Sequence, residues 1–246
     1  MAGVVLDSVV ENKHVESTKD YRLPFSAMAT LFFLWGFITV LNDILIPHLK
    51  HAFDLNYTKA MLIQFCFFGA YFIVSVPAGM LVRKIGYKKG VIVGLLIASL
   101  GCLLFYPAAA VHLYWVFLLA LFVLASGITV LQVSANPYVA ALGPEKTASS
   151  RLNLAQALNS LGTTLAPKFG GLLFFSTAAT AASVAGADAV KLPYMLLALT
   201  LLILAVIFIF LKLPELQHEE TQANVAKQSI LTAPHTIFGA VAIFFY

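Results

Sequence analysis

The sequence predicts an all-α membrane protein: a bundle of six spanning helices followed by the start of a seventh helix. Of its 246 residues, 61% are hydrophobic and only 11% are charged. A soluble domain is about 45–50% apolar and about 25% charged, so this composition excludes a water-soluble domain, and its apolar content excludes a disordered chain. The third observation is that most charges lie in the polar stretches that separate long apolar runs.

Six apolar runs reach the length of about 20 predominantly apolar residues that a spanning helix requires. The first is too long and continuous for a cleaved signal peptide, so we interpret it as a retained helix. The six predicted spans cover roughly Phe25–Leu49, Ala60–Val82, Gly90–Val111, Tyr114–Leu142, Leu152–Ser176 and Pro193–Leu211.

A seventh apolar run, Thr236–Tyr246, is too short to span as it stands. Eleven residues at 1.5 Å each reach about 16 Å, roughly half of a hydrocarbon core about 30 Å thick. The sequence therefore predicts four regions. These are a cytoplasmic N-terminal tail over 1–24, a transmembrane bundle over 25–211, a central cytoplasmic loop over 212–235 and an incomplete seventh span over 236–246.

The basic residues are distributed unevenly between the two sides of the predicted bundle. With the N-terminus in the cytoplasm, eleven of the 15 Lys and Arg residues lie on the cytoplasmic side, three on the other side and one, Lys168, within a span. Cytoplasmic loops carry an excess of Lys and Arg, so this orientation is predicted. Topology thus explains the net charge of +4, and a nucleic-acid partner is not needed.

Asp43 and Lys168 are the two charged residues inside the predicted spans. Such residues are expensive in a membrane and indicate function by default. Trp35, Thr39, Asn42 and Asp43 follow one another at helical spacing, so we expect them to share a face that looks into the bundle. Asp43 could then exchange a proton or help to coordinate a cation, the alternative being an acid that reaches water near the end of the span. For Lys168, we favour a side chain that extends to the membrane interface over a role in binding substrate.

Neutral polar residues recur at helical spacing in three other spans. A few such amides and hydroxyls act as interhelical contacts, but this number also suits a cavity for a ligand with many hydroxyl groups, since each amide both donates and accepts. Trp35 and Tyr71 could supply flat faces for a sugar ring. The polar sets are Gln64, Tyr71 and Ser75; Thr129, Gln132 and Asn136; and Asn153, Gln156, Asn159 or Ser160, and Thr163.

The sequence contains no motif of a nucleotide-binding, hydrolytic or metalloprotease site, so we expect no enzyme. Cys66 and Cys102 lie inside apolar runs, which gives no disulfide framework and no zinc pattern. A convergent polar cavity at mid-depth is what a secondary transporter needs, and it implies no cofactor and no metal.

The segment between the second and third spans resembles the signature loop of the major facilitator superfamily, a glycine followed by a second glycine and a basic pair. The acidic residue usual in that loop is not evident, and basic residues stand in its neighbourhood. The residues that we assign to this conformational gating loop are Gly79, Arg83, Lys84, Gly86 and Lys88.

Three further stretches, within residues 32–47, 132–139 and 142–160, are similar to the fucose–galactose–glucose:H+ symporter family. The resemblance covers about residues 20–246. It implies the N-terminal six-helix bundle of the major facilitator fold, cut short in the seventh helix, and sugar:cation symport by alternating access across a bacterial inner membrane. The family has two halves of six spans each, so we expect no transport by this chain alone.

The resemblance also implies roles for individual residues. An aspartate of the fucose-transporting branch matches Asp43, but a glutamate of that branch is replaced here by Gln132, as is usual in the glucose/galactose branch. Asp43 would be the coupling acid, for H+ or Na+, without any cofactor. Gln156 and Asn159 match positions that line the sugar cavity. The full set predicted to bind substrate is Asn42, Gln132, Asn136, Gln156, Asn159, Trp35, Gln64 and Tyr71.

The leading interpretation is therefore a glucose/galactose-type symporter, present as an N-terminal fragment whose partners are a hexose, the lipid bilayer and a missing C-terminal half. A fucose or other hexose proton symporter is an alternative within the family. A six-span unit that forms a homodimer is a second alternative. A non-transporting membrane scaffold is a third, and it predicts that Asp43→Asn and Gln156→Ala change nothing measurable.

Overall fold

A computed structural model describes residues 21–179 and 190–211, together with residues 238, 239 and 242. Six long helices follow one another in this part of the chain, with a short 3-10 turn, Glu145–Thr147, before the fifth. No strand occurs among the described residues, so the all-α prediction is confirmed. The helices are α1 (Arg22–Ala52), α2 (Tyr57–Ile85), α3 (Tyr87–Val111), α4 (Tyr114–Ala141), α5 (Ala148–Ala179) and α6 (Lys191–Phe210).

Five of these helices, all except α5, are long and apolar enough to cross a membrane. The predicted fifth span, Leu152–Ser176, does form a helix, and the 32 residues of α5 are ample in length. Its apolar character is lower than the other five because amides, hydroxyls and Lys168 interrupt the sequence. A helix of this composition enters a bilayer only with its polar side chains against protein or a water-filled cavity.

Glycines decide how closely the helices approach. A Cβ added to Gly94 of α3 would lie 2.7 Å from the Leu131 backbone nitrogen of α4, so only glycine fits there. Gly36 of α1 lies against the backbone of Asn159 in α5, and Gly162 of α5 lies against the backbone of Phe33 in α1. Small residues at these points allow two helix backbones to pack directly, which is typical of membrane helix pairs.

The six helices form one bundle in which α3 packs against α4 and α6, α1 packs against α5, and α2 packs against α4. In α4, 61% of the most apolar segment is buried, against 22% in α2. The α4 helix is therefore central and α2 peripheral. The exposed side of α2 carries large apolar side chains, as a lipid-facing surface requires; these include Phe65, Phe68, Phe72 and Val76.

Two connections show why the helices end where they do. Asn56 precedes α2, and its side chain accepts a hydrogen bond from the Lys59 backbone N–H at 2.9 Å, which caps the helix. Gly86 alone separates α2 from α3, with φ at +83°. This backbone conformation is essentially restricted to glycine, which explains how one helix ends and the next begins within one residue.

The chain divides into two compact units, residues 1–216 and 217–246. In the second unit the described residues are Phe238, Gly239 and Ala242, and each is helical. Most of the predicted tail (1–24), the central loop (212–235) and the rest of the predicted seventh span lie outside the described residues, so the proposed boundaries of these regions stay predictions.

Candidate functional site

Three helices bring predicted site residues together around the hydroxyl of Tyr71. This hydroxyl, on α2, lies beside the Trp35 and Thr39 side chains of α1. It also accepts a hydrogen bond from Nε2 of Gln132 on α4, at 3.4 Å. All four side chains are half-buried. We call Trp35, Thr39, Tyr71 and Gln132 the Tyr71 cluster. The structure brings these four side chains together, and their role in binding substrate stays a prediction.

The Tyr71 cluster combines flat apolar faces with hydroxyl and amide groups. The rings of Phe67 and Phe68 lie 5.5 and 6.2 Å from the Tyr71 ring, between centroids, and support its position. The Trp35 ring lies 5.6 Å from the ring of Phe32. The Gln132 amide can both donate and accept, and the long contact to Tyr71 is easily exchanged for a ligand hydroxyl. Half-buried groups of this kind can exchange partners without being fully desolvated.

Asn136 lies one turn beyond Gln132 on α4 and is half-buried. Its Oδ1 atom is buried and has no hydrogen-bond partner among the described residues. A buried acceptor without a donor is costly, so this oxygen can gain a hydroxyl donor from a ligand. Gln64, half-buried on α2 two turns before Tyr71, is not part of the Tyr71 cluster as this conformation has it.

Asn42 lies in the helix packing. It is 4% exposed, and its Oδ1 accepts a hydrogen bond from the Tyr194 hydroxyl of α6 at 2.8 Å. Its Nδ2 is buried without a partner in the described part of the chain. This conformation therefore engages Asn42 between α1 and α6, and a role in sugar binding stays a prediction.

Asp43 has an exposed side chain. The expectation that Trp35, Thr39, Asn42 and Asp43 all face into the six-helix bundle is wrong for Asp43. The physical reason is that successive residues of an α-helix point about 100° apart, so burial of Asn42 turns Asp43 toward the outside of the described bundle. Its proposed role in cation coupling is a separate question that stays a prediction.

The α5 residues divide into two kinds. Asn159 donates from Nδ2 to the Phe32 backbone oxygen at 2.9 Å and so connects α5 to α1 beside Gly36. Gln156, one turn earlier, is exposed, and so is Lys168. Asn159 therefore has a structural partner in this conformation, whereas Gln156 is free to meet a ligand or another segment of protein.

The predicted gating loop lies where α2 meets α3. Arg83 and Lys84 are exposed at the end of α2, and Gly79 has open space around its Cα. Lys88, in the first turn of α3, donates from Nζ to the Ile209 backbone oxygen at 3.4 Å, near the end of α6. This contact joins the start of α3 to the end of α6. Because Gly86 connects α3 to α2, the ends of three helices meet at the gating loop.

Two residues of the described bundle were not identified from the sequence. Tyr194 stands out only as one of the few polar groups in a very apolar helix. Arg151 donates to the backbone oxygens of Val139, Ala140 and Pro144 at 3.2, 2.6 and 3.0 Å, and so satisfies carbonyls at the end of α4. A lone arginine shortly after a helix end is a signal for such a contact. Within the described ranges, no group of His, Cys, Asp and Glu is arranged to hold a metal ion.

Comparison with known proteins agrees with this architecture. Residues 25–246 match the Major Facilitator Superfamily. The chain is 58% identical over 231 residues to the glucose/galactose transporter of Brucella abortus biovar 1, covering 94% of this chain and 56% of that protein. It is 52% identical to a putative glucose/galactose transporter of Helicobacter pylori strain 26695, covering 91% and 56%. A crystal structure of a variant of the E. coli fucose:proton symporter matches with a TM-score of 0.67 and 37% identity, covering 80% of this chain and 50% of that one.

The chain belongs to the Major Facilitator Superfamily, a class of multi-pass membrane transporters. The sequence resemblance to the superfamily and to its sugar-transporting members is confirmed. The chain spans about half the length of the relatives that it matches.

Proposed function

We propose that this chain forms the N-terminal half of a glucose/galactose-type hexose:cation symporter that works by alternating access. The observation that carries the proposal is the Tyr71 cluster, in which three helices present an indole ring, a phenol and an amide at one place. Such a set can pack against a sugar ring and bracket its hydroxyl groups. The names of the B. abortus and H. pylori relatives support a hexose as the substrate.

Asn136 and Gln156 extend this proposed cavity. The unpartnered Asn136 oxygen can accept a sugar hydroxyl, and the exposed Gln156 amide is available on α5. Gln64, Asn42 and Asn159 complete the proposed substrate-binding set. A second half of similar size would close the cavity, which is why we propose that this chain alone does not transport.

Asp43 is the proposed coupling group, since its carboxylate is exposed on α1 and can take up a cation from water. We propose H+ as the cation, because the solved fucose:proton symporter that the chain resembles is named for that ion. The proposed setting is a bacterial inner membrane with the N-terminus in the cytoplasm. The excess of basic residues at the gating-loop end supports this orientation.

The test uses the protein encoded by the complete reading frame that contains this chain, reconstituted in liposomes. Counterflow of labelled glucose and galactose measures sugar exchange without any ion gradient. Uptake against a concentration difference, with proton and sodium gradients imposed separately, measures coupling. We expect saturable counterflow and accumulation driven by the proton gradient; an absence of saturable exchange with either sugar would refute the sugar assignment.

The coupling role is tested by Asp43→Asn, with Asp54→Asn as the matched control. Asp54 is also exposed and lies between α1 and α2 with φ at +47°, which asparagine tolerates. We expect Asp43→Asn to retain counterflow and to lose accumulation, and the control to retain both. Accumulation by Asp43→Asn equal to that of the control would exclude the role. The same counterflow assay is applied to the half-chain, alone or as a homodimer. If the protein is a scaffold, Asp43→Asn and Gln156→Ala would change neither counterflow nor accumulation.

A further inference from the structure

The strongest unexplained feature of the bundle is a buried contact between three helices near Asp43. The Tyr194 ring of α6 stacks on the Phe105 ring of α3, with centroids 3.8 Å apart and planes 14° apart. The Tyr194 hydroxyl donates to Oδ1 of Asn42 on α1 at 2.8 Å. Tyr194 is 1% exposed and Phe105 is fully buried. This three-helix contact adjoins the proposed coupling carboxylate, since Asn42 and Asp43 are consecutive.

The hydroxyl of Tyr194 is not explained by packing. A phenylalanine would stack on Phe105 equally well, and a buried hydroxyl costs free energy unless it has a partner. Its partner is the Asn42 amide, whose Nδ2 is itself buried without a partner among the described residues. The hydrogen bond from Tyr194 is therefore the contact that holds this amide in place.

The direction of Asp43 follows from the direction of Asn42. Consecutive residues of α1 point about 100° apart, so an Asn42 that faces Tyr194 leaves Asp43 exposed on another side of the helix. If the hydroxyl were removed, both polar atoms of the Asn42 amide would be buried without partners. The amide would then gain from a local shift of this turn of α1 toward water, and the same shift would also move Asp43.

We propose that Tyr194 is a positioning residue for cation coupling, which acts through Asn42 to set the direction in which Asp43 points. This inference rests on the proposed function, since it assigns to Asp43 the coupling role. It makes Tyr194 neither a sugar ligand nor a proton carrier, because its ring and hydroxyl are both engaged inside the bundle.

The test is Tyr194→Phe in the same reconstituted, complete protein, with Tyr106→Phe as the matched control. Tyr106 follows Phe105 on α3 and is exposed, so the control removes a tyrosine hydroxyl from the neighbourhood without touching Asn42. We expect Tyr194→Phe to lower proton-driven accumulation about fivefold, the change that one hydrogen bond typically makes to an equilibrium constant. Counterflow, which needs no coupling, should change less than about twofold, a smaller effect than one hydrogen bond.

A general loss of structure would lower counterflow and accumulation together, so the ratio of the two separates positioning from packing. Asn42→Ala is the second variant, and it keeps the inference testable if Tyr194→Phe does not fold. Asn42 also belongs to the proposed substrate-binding set, so both assays are run at saturating sugar, where weaker binding does not limit exchange. Asn42→Ala should then lower the ratio similarly, and adding Tyr194→Phe to it should have no further effect, because the two residues act through one contact.

The inference is overturned if Tyr194→Phe has the same ratio as Tyr106→Phe, or if the effects of Asn42→Ala and Tyr194→Phe are additive. These outcomes differ from a failure of the proposed function. That failure would appear as an absence of sugar exchange in the unsubstituted protein, or as normal accumulation by Asp43→Asn.

Discussion

Replacement of Gly94 by alanine tests the close packing of α3 on α4. The added Cβ would lie 2.7 Å from the Leu131 backbone nitrogen, 3.0 Å from the Leu131 Cα and 3.0 Å from the Gly127 backbone oxygen. Ordinary contacts of a Cβ begin at 3.4 Å, so the two helices must separate locally by about 0.7 Å. The neighbours are backbone atoms in a long helix, and they cannot turn aside as the end of a side chain can.

The expected change in the free energy of unfolding for Gly94→Ala is the difference between two contributions. Insertion of a methyl group into a packed interior costs about 1–3 kcal/mol, and backbone neighbours place this site at the upper end. Alanine in a helix is favoured over glycine by about 1 kcal/mol. The expected net loss is about 1–2 kcal/mol, which lowers the apparent Tm of a chain of this size by about 2–8 °C.

The measurement is the apparent Tm of the purified protein in detergent at a fixed scan rate, since membrane proteins often unfold irreversibly. Gly69→Ala on α2 is the matched control, because a Cβ there has nothing within 4 Å. It should leave the apparent Tm unchanged or raise it, through helix propensity alone. A Gly94→Ala protein as stable as the Gly69→Ala protein would show that α3 and α4 do not approach as closely as described.

Substitutions at three other positions follow from the described contacts. Arg151→Ala should lower the apparent Tm by a few degrees, because hydrogen bonds to a charged donor contribute about 1.5–3 kcal/mol. Arg151→Lys should recover only part of this lost stability, since an ammonium cannot reach several carbonyls at once. Gly86→Ala should cost about 1–3 kcal/mol in unfolding free energy, through strain at φ +83°, and a Tm equal to that of Gly69→Ala would contradict this. Tyr71→Phe should raise the KM for sugar counterflow about fivefold, the effect of one lost hydrogen bond. The apparent Tm should not change, because the hydroxyl contact to Gln132 is long. An unchanged KM would remove Tyr71 from the proposed site.

The candidate site could be predicted in part. Trp35, Tyr71 and Gln132 were found because polar and aromatic residues are conspicuous inside apolar spans, and the structure brings them to one place. The facing of Asp43 was predicted wrongly, because helical spacing groups residues on a broad face without showing where that face meets its neighbours. Asn159 was predicted as a sugar ligand, and its contact with the Phe32 backbone shows a second, structural use.

The sequence by itself determined the helical architecture and the positions of the helices, because hydropathy is a property of consecutive residues and needs no knowledge of the fold. It also determined which side chains are polar within the membrane. Only the tertiary structure decided which of them meet. Tyr71 and Gln132 are 61 residues apart, and Asn42 and Tyr194 are 152 residues apart. Such contacts depend on how each helix is rotated and how closely glycines allow it to approach its neighbours, and no local pattern contains that information.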